Sequence, residues 1–272
     1  VNYFVVSAQV VYNEASFQAE KMQMKKTKSM TTVLLCAALT VGCASIDPKT
    51  GERNDPLEGF NRTMWDFNYK VVDPYVLKPV ASGWKNYVPS PVRTGLTNVA
   101  NNLDEPISFV SRLLEGEGKK AMVHFNRFWI NTVFGLGGLI DWASYSEPLK
   151  IENERDFADT MGSYGIEPGA YVMLPAYGPT TPRQATGTAA DIGAMYPFWH
   201  WVGGPWALVK SGIQAIDTRA KALDKQALLD QAQDPYVTFR EAYYQNLEYR
   251  VSDGKVKAAQ ETLSQEELNE VD

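Results

Sequence analysis

Apolar and polar positions along this chain follow the period of a helix, and only 172–174 reads as a short extended stretch. From residue 57 to 76, Phe60, Met64, Phe67 and Val71 form one stripe, and Trp65, Tyr69, Val72 and Val76 form a second. At about 100° per residue the two merge into an apolar arc of roughly half the helix circumference or more. Arg62, Asp66, Lys70 and Asp73 fill the narrow remainder. Such an arc fits a helix buried in a core, or one that touches core on one side and lipid on the other. Just before it, Asp55-Pro56-Leu57-Glu58 supplies an N-cap Asp, a Pro at the first helical position and a Glu at the third.

Pro74, Pro79, Pro89 and Pro91 predict a break into short pieces. Further helices are expected from Thr94 to Asn102 and from Pro106 to Gly116, the latter with Ile107, Val110 and Leu114 on one side. Residues 121–134 are apolar nearly all round, except for Asn126 and for His124, Arg127 and Asn131, the last three sharing one stripe at i, i+3 and i+7. That stripe is either a satisfied hydrogen-bond network in a helical core, the commoner outcome, or the wall of a water-filled passage. Gly135, Gly137 and Gly138 follow as a candidate hinge; no Lys-Ser/Thr completes a phosphate loop.

Residues 159–182 read as a long Gly/Pro-rich structured loop with Val172-Met173-Leu174 extended within it. Trp199, Trp201 and Trp206 concentrate in one short region, as expected for a membrane–water interface or for an aromatic core cluster. Residues 205–231 read as helix, with Trp206, Val209, Ile213 and Ile216 on one side. Asp234-Pro235 caps another, whose buried face is expected to carry Tyr236, Phe239, Tyr243 and Leu247. The whole predicts a mainly α fold of amphipathic helices with long loops and little or no sheet.

The N-terminal part reads differently. Lys25, Lys26 and Lys28 precede a short apolar run, 30–42, and then Cys43. This is a secretory signal ending in a Cys, similar to a bacterial lipoprotein signal in which the Cys is acylated. The run is shorter than the ~20 residues of a spanning helix. The expected organisation is an upstream extension (1–23), a signal peptide (24–42), a lipidated linker (43–54), a helical domain (55–251) and a polar, flexible tail (252–272).

Composition narrows the function. The formal net charge is −6, which argues against a nucleic-acid partner. Two His and two Cys leave no basis for a His- or Cys-rich metal site, and Cys43 alone remains after cleavage at the signal. No nucleophile elbow and no His-Glu-x-x-His motif occurs. No enzymatic activity and no cofactor beyond the acyl groups on Cys43 is expected.

Several ordered blocks resemble the MlaA (VacJ) family of outer-membrane lipoproteins. They are Asp55-Pro56-Leu57-Glu58-Gly59-Phe60-Asn61-Arg62; Arg127-Phe128-Trp129-Ile130-Asn131-Thr132 with Gly135-Leu136-Gly137-Gly138; Leu174-Pro175 with Gly178-Pro179; and Asp234-Pro235-Tyr236 with Arg240-Glu241-Ala242-Tyr243. The resemblance spans roughly residues 43–250, and Gln184 after Arg183 departs from it, where Asp is usual. It implies a ring-like helical lipoprotein on the periplasmic side of a Gram-negative outer membrane. Such a protein removes misplaced phospholipids from the outer leaflet and passes them to a soluble periplasmic carrier, working beside an outer-membrane porin trimer. On that reading His124, Arg127 and Asn131 are candidates for the polar path of a lipid headgroup, and phospholipid is the transported ligand. The rival expectations are a passive lipoprotein scaffold that binds porin or cell wall, and a lipid hydrolase.

Overall fold

In the computed structural model, which describes residues 53–151, 153–202 and 205–255, helices follow one another through mostly short links, one long connection at 134–156 and one small hairpin. The chain divides into two units, Val1–Asn54 and Asp55–Asp272, and the helices described here belong to the second. The signal, Cys43 and residues 256–272 lie outside the described residues.

The first helix, α1 (Glu58–Phe67), runs without a break through Asn68–Leu77, a stretch of wider π-helical turns, into α2 (Lys78–Tyr87). The prolines therefore do not fragment this segment as predicted. Pro74 lacks an N–H, and in an α-helix its ring would strike the carbonyl one turn back; the wider turns relieve both demands. Pro79 falls in the first turn of α2, where proline is best tolerated.

The start of α1 also departs from expectation. Leu57, not Asp55, occupies the cap position, and no side chain caps the helix. Asp55 is drawn into a long-range tie instead. Its Oδ1 accepts from Asn61 Nδ2 at 2.9 Å and from the Leu57 N–H at 3.2 Å. Its Oδ2 accepts from the Tyr236 hydroxyl and from Arg240 at 3.4 Å. A carboxylate buried this far is held by a cation and a phenol more strongly than by exposed N–H groups.

The remaining helices are α3 (Ser90–Asn102), α4 (Glu105–Leu114), α5 (Gly118–Val133), α6 (Phe157–Ser163), α7 (Pro182–Val202), α8 (Pro205–Ala222), α9 (Gln226–Asp230) and α10 (Pro235–Val251). Helix α3 starts before the predicted Thr94 because Pro91 fits its first turn. Helix α6 overlaps the start of the predicted 159–182 loop and opens on a reciprocal capping box between Asp156 and Asp159. Asp234 caps α10 as expected, accepting from the Val237 N–H at 3.1 Å. The extended stretch pairs: β1 (Val172–Leu174) lies antiparallel to β2 (Gly178–Thr180), with Met173 opposite Pro179. This is the little sheet the sequence allows.

Helix neighbours close a circuit. Helix α3 packs on α8, α8 on α7, α7 on α6, α6 on α4, α4 on α5, and α5 returns to α3. The mainly helical arrangement expected from the sequence pattern, and the ring that the family resemblance implied, are thus found. Where helices meet, the buried apolar residues are largely small, among them Ala81, Ala100, Ala121, Ala158 and Ala220, with one aromatic cluster of Trp65, Tyr171, Tyr236 and Tyr244. Much of the rest of the interior is polar: Asn61, Glu105, Arg112, Arg127, Arg155 and Arg240 are all buried.

Many of the large apolar side chains point outward. Phe60, Phe67, Val71 and Val76 are exposed along the first rod, and Met122, Phe125, Trp129 and Val133 along α5. An apolar surface this extensive is abnormal for a protein that meets water on every side. The polar start of the tail is also anchored, since Asp253 accepts from Arg112 Nη2 and Lys120 Nζ, each at 2.6 Å.

Candidate functional site

Helix α5 turns Ala121, His124, Arg127 and Asn131 inward, onto α4. Glu105, in the first turn of α4, receives that stripe and is 2% exposed. A carboxylate this deep needs full compensation, and two residues of the stripe provide it. His124 Nδ1 lies 2.6 Å from Glu105 Oε2, and Arg127 Nε donates to Glu105 Oε1 at 2.6 Å. Arg127 Nη1 also donates to the Leu149 carbonyl at 3.0 Å, and Nη2 to Asp141 Oδ2 at 3.1 Å. Burial works against the Arg127 charge, but the fields of Glu105 and Asp141 and their hydrogen bonds hold its pKa above the usual guanidinium value. Asn131 donates to Asp141 Oδ1 at 2.8 Å and accepts from the Ala143 N–H at 3.0 Å.

The stripe is therefore a satisfied network, and part of it also borders open space. Arg127 and Asn131 line a cavity of about 490 Å³ together with Asn98, Asn101, Asn102, Glu105, Asp141, Ser144, Lys150, Ile151, Asn153 and Glu154. Ile151 is the one apolar residue among them. His124 does not reach this cavity: at 1% exposure its ring is spent on Glu105, behind the wall. A wider cavity of about 780 Å³ adjoins the first through the shared Asn153 and Glu154. Its lining is mixed. Ile107, Ile192, Met195, Trp199 and Leu208 stand beside Asp104, Asp191, Lys210 and Arg250. Asp191 accepts from the Phe157 N–H at 3.3 Å. Burial, then the nearby Asp156 charge, push its carboxyl up to about 7.

Gly135, Gly137 and Gly138 form a pinned turn beside this network. The Gly138 N–H donates to the Asn131 carbonyl at 2.8 Å, and the Ile140 N–H to the Gly135 carbonyl at 3.0 Å. A Cβ on Gly135 would stand 2.1 Å from the Ile140 oxygen, so no other residue fits that backbone. Gly138 (φ +99°) lies against Asn102. Of the three tryptophans, Trp206 is 59% exposed and Trp199 is half-buried in the wider cavity wall. The side chain of Trp201 lies outside what the structure describes.

Sequence reasoning did not single out Glu105, Asp141, Asn153 or Glu154. One signal was available for the opposite wall: Asn98, Asn101 and Asn102 repeat at i, i+3 and i+4, a polar stripe on α3. Among the described residues, no cluster of three His, Cys, Asp or Glu side chains is placed to hold a metal, and no helix is long and apolar enough to cross a membrane.

Residues 53–250 match the MlaA lipoprotein family. The intermembrane phospholipid transport system lipoprotein MlaA of Haemophilus influenzae is 61% identical over 249 residues, covering 91% of this chain and all of the relative. The protein of the same name from Escherichia coli is 42% identical, covering 89% of this chain and 98% of that one. A structure solved to explain the maintenance of bacterial outer membrane lipid asymmetry aligns with a TM-score of 0.68 at 46% identity, over 73% of this chain and all of the other. The names of these relatives point to transport rather than catalysis. This chain belongs to the MlaA lipoprotein family.

Proposed function

We propose that this protein is an outer-membrane lipoprotein that removes mislocalised phospholipids from the outer leaflet and passes them to a soluble periplasmic carrier. The observation that carries the reading is the inverted polarity of the helical unit. Met122, Phe125, Trp129 and Val133 face outward on α5, while Arg127 and Asn131, on the same helix, face a polar cavity. Each large apolar side chain left in water forfeits up to about 1.5–3 kcal/mol, and acyl chains of a bilayer recover it. No described helix can span a bilayer, so the apolar outside fits one monolayer, with acyl chains attached at Cys43 as the anchor.

A phospholipid has two unlike ends, and the adjoining cavities have two unlike linings. The polar chamber suits a headgroup, with Arg127 and Asn131 as its wall and His124 holding Glu105 behind it. The mixed chamber suits the glycerol and upper chain region. The pinned glycine turn at 135–138 is proposed as the hinge that alters the chamber mouth. Exposed Trp206, with Trp199 and Trp201, is proposed to mark the lipid–water boundary. The porin trimer and the carrier as partners, and the periplasmic side of the membrane, rest on the family resemblance.

The test is transfer in vitro. Vesicles containing the protein and a labelled phospholipid are mixed with the purified periplasmic carrier. Intact lipid should appear on the carrier at a rate that depends on the protein. No transfer would leave the scaffold reading, and cleaved lipid would establish the hydrolase.

A further inference from the structure

Of the charges that line the two cavities, the unpaired ones are negative. Arg127 is held by Glu105 and Asp141, Lys150 by Glu147, Arg155 by Glu115, Lys210 by Asp104, and Arg250 by Asp156 and Asp159. Glu154 lines both cavities and, among the described residues, has no ion-pair partner; Asp191 has none either, but burial pushes its carboxyl up to about 7, so it carries only part of a charge near neutral pH. Arg250 senses the Glu154 charge at longer range, but its hydrogen bonds go to Asp156 and Asp159.

The neutral groups show the same excess. Asn102 is 4% exposed and lines the polar cavity; its Nδ2 donates to Thr132, but its Oδ1 is buried with no partner. Asn153, on the shared wall, has both its amide atoms buried and unpartnered. Buried amide oxygens without donors are costly; with the Glu154 carboxylate, the Asn102 and Asn153 oxygens outnumber the one orphaned donor, Asn153 Nδ2, so the net shortage in the chamber is of donors.

A phosphate brings acceptors and negative charge, which would serve Asn153 Nδ2 but not the two amide oxygens or Glu154. A primary ammonium brings three donors and a positive charge. We propose that the polar chamber recognises the primary ammonium group of a zwitterionic phospholipid, with Glu154 as its counter-charge and the Asn102 and Asn153 amide oxygens as acceptors. The inference rests on the transport reading above and adds a headgroup preference to it.

Purified full-length protein is equilibrated with vesicles of equal phosphatidylethanolamine, phosphatidylcholine and phosphatidylglycerol, re-isolated, and its retained lipid measured by mass spectrometry. Phosphatidylethanolamine should exceed phosphatidylglycerol by about threefold or more, and should also exceed phosphatidylcholine, whose quaternary nitrogen donates nothing. Glu154→Gln and Asn153→Ala, neither of which breaks a hydrogen bond or ion pair among the described residues, should each reduce that preference by half or more. Retention in vesicle proportions, a preference for phosphatidylglycerol, or an unchanged preference in both variants would overturn the proposal while leaving transport intact. Retention of no lipid at all would defeat the transport reading itself. A parallel arm adds excess ethanolamine. Displacement shows that the ammonium alone is bound, and persistence shows that it is bound as part of a lipid; either result upholds the assignment and fixes the source.

Discussion

Glu105 has both carboxylate oxygens within 2.6 Å of a nitrogen, one on His124 and one on Arg127. Removing one partner of such a buried set costs far more than the set contributes, because the other charge stays behind unpaired. Arg127→Ala is therefore expected to destabilise the protein by about 3–5 kcal/mol in denaturant melts. Glu105→Gln in the same background should recover part of that loss, since Glu105 then no longer lacks its cation and only the less buried Asp141 does. Asp191 gives a second residue-scale expectation. Burial and Asp156 raise its carboxyl to about 7 in the folded protein, against about 3.9 unfolded. Between roughly pH 4 and 7 the folded state holds a proton that the unfolded state has lost, so this group's contribution to stability falls as pH rises through that window. Asp191→Asn should flatten the decline and raise stability at pH 8 by roughly 1–2 kcal/mol, discounted for the partial exposure of the site. Melts at pH 5 and pH 8 check the sign.

At the scale of elements, the glycine turn after α5 separates space from backbone freedom. Gly137 (φ +74°) has open room for a Cβ, so Gly137→Ala should cost only the left-handed conformation, about 1–2 kcal/mol. Gly135→Ala must push the Ile140 carbonyl away and should cost more, as well as displace the turn from Asn131. Thermal melts of the two variants, with outer-leaflet phospholipid measured in cells at matched abundance, test whether this turn gates the chamber. The elements themselves were largely legible in the sequence. Asp234-Pro235 announced α10, and the periodicity of α4 and α5 placed both helices to within a few residues. Local signals failed where a distant residue outbid them. Asp55 had every mark of an N-cap, yet Tyr236 and Arg240 claim it. Pro74 had every mark of a breaker, yet the π-helical turns absorb it.

At the scale of the whole helical unit, the sequence left one question undecided: whether its wide apolar arcs meet a core or a bilayer. Periodicity cannot separate the two, because both select the same residue types. The structure answers half of it: these faces are not core, and the bilayer that covers them is the proposal. Alanines and buried ion pairs occupy the interior, and Phe60, Phe67, Phe125 and Trp129 are left outside. The partners of the polar stripe were illegible for a related reason. Glu105 and Asp141 lie 22 and 14 positions from Arg127, and only the packing of α4 and the turn after α5 brings them together. Helix α5 therefore carries the central claim, lipid on one face and a polar chamber on the other.

Accessibility measured on the lipidated protein in vesicles tests that claim most directly. A spin label at position 129 should collide with dissolved oxygen and be shielded from a water-soluble nickel chelate, as hydrocarbon requires. A label at position 153, on the shared cavity wall, should show the reverse. Equal access of the chelate to both sites would contradict the account, for it would mean that Trp129 meets water and the outward apolar face has no bilayer against it.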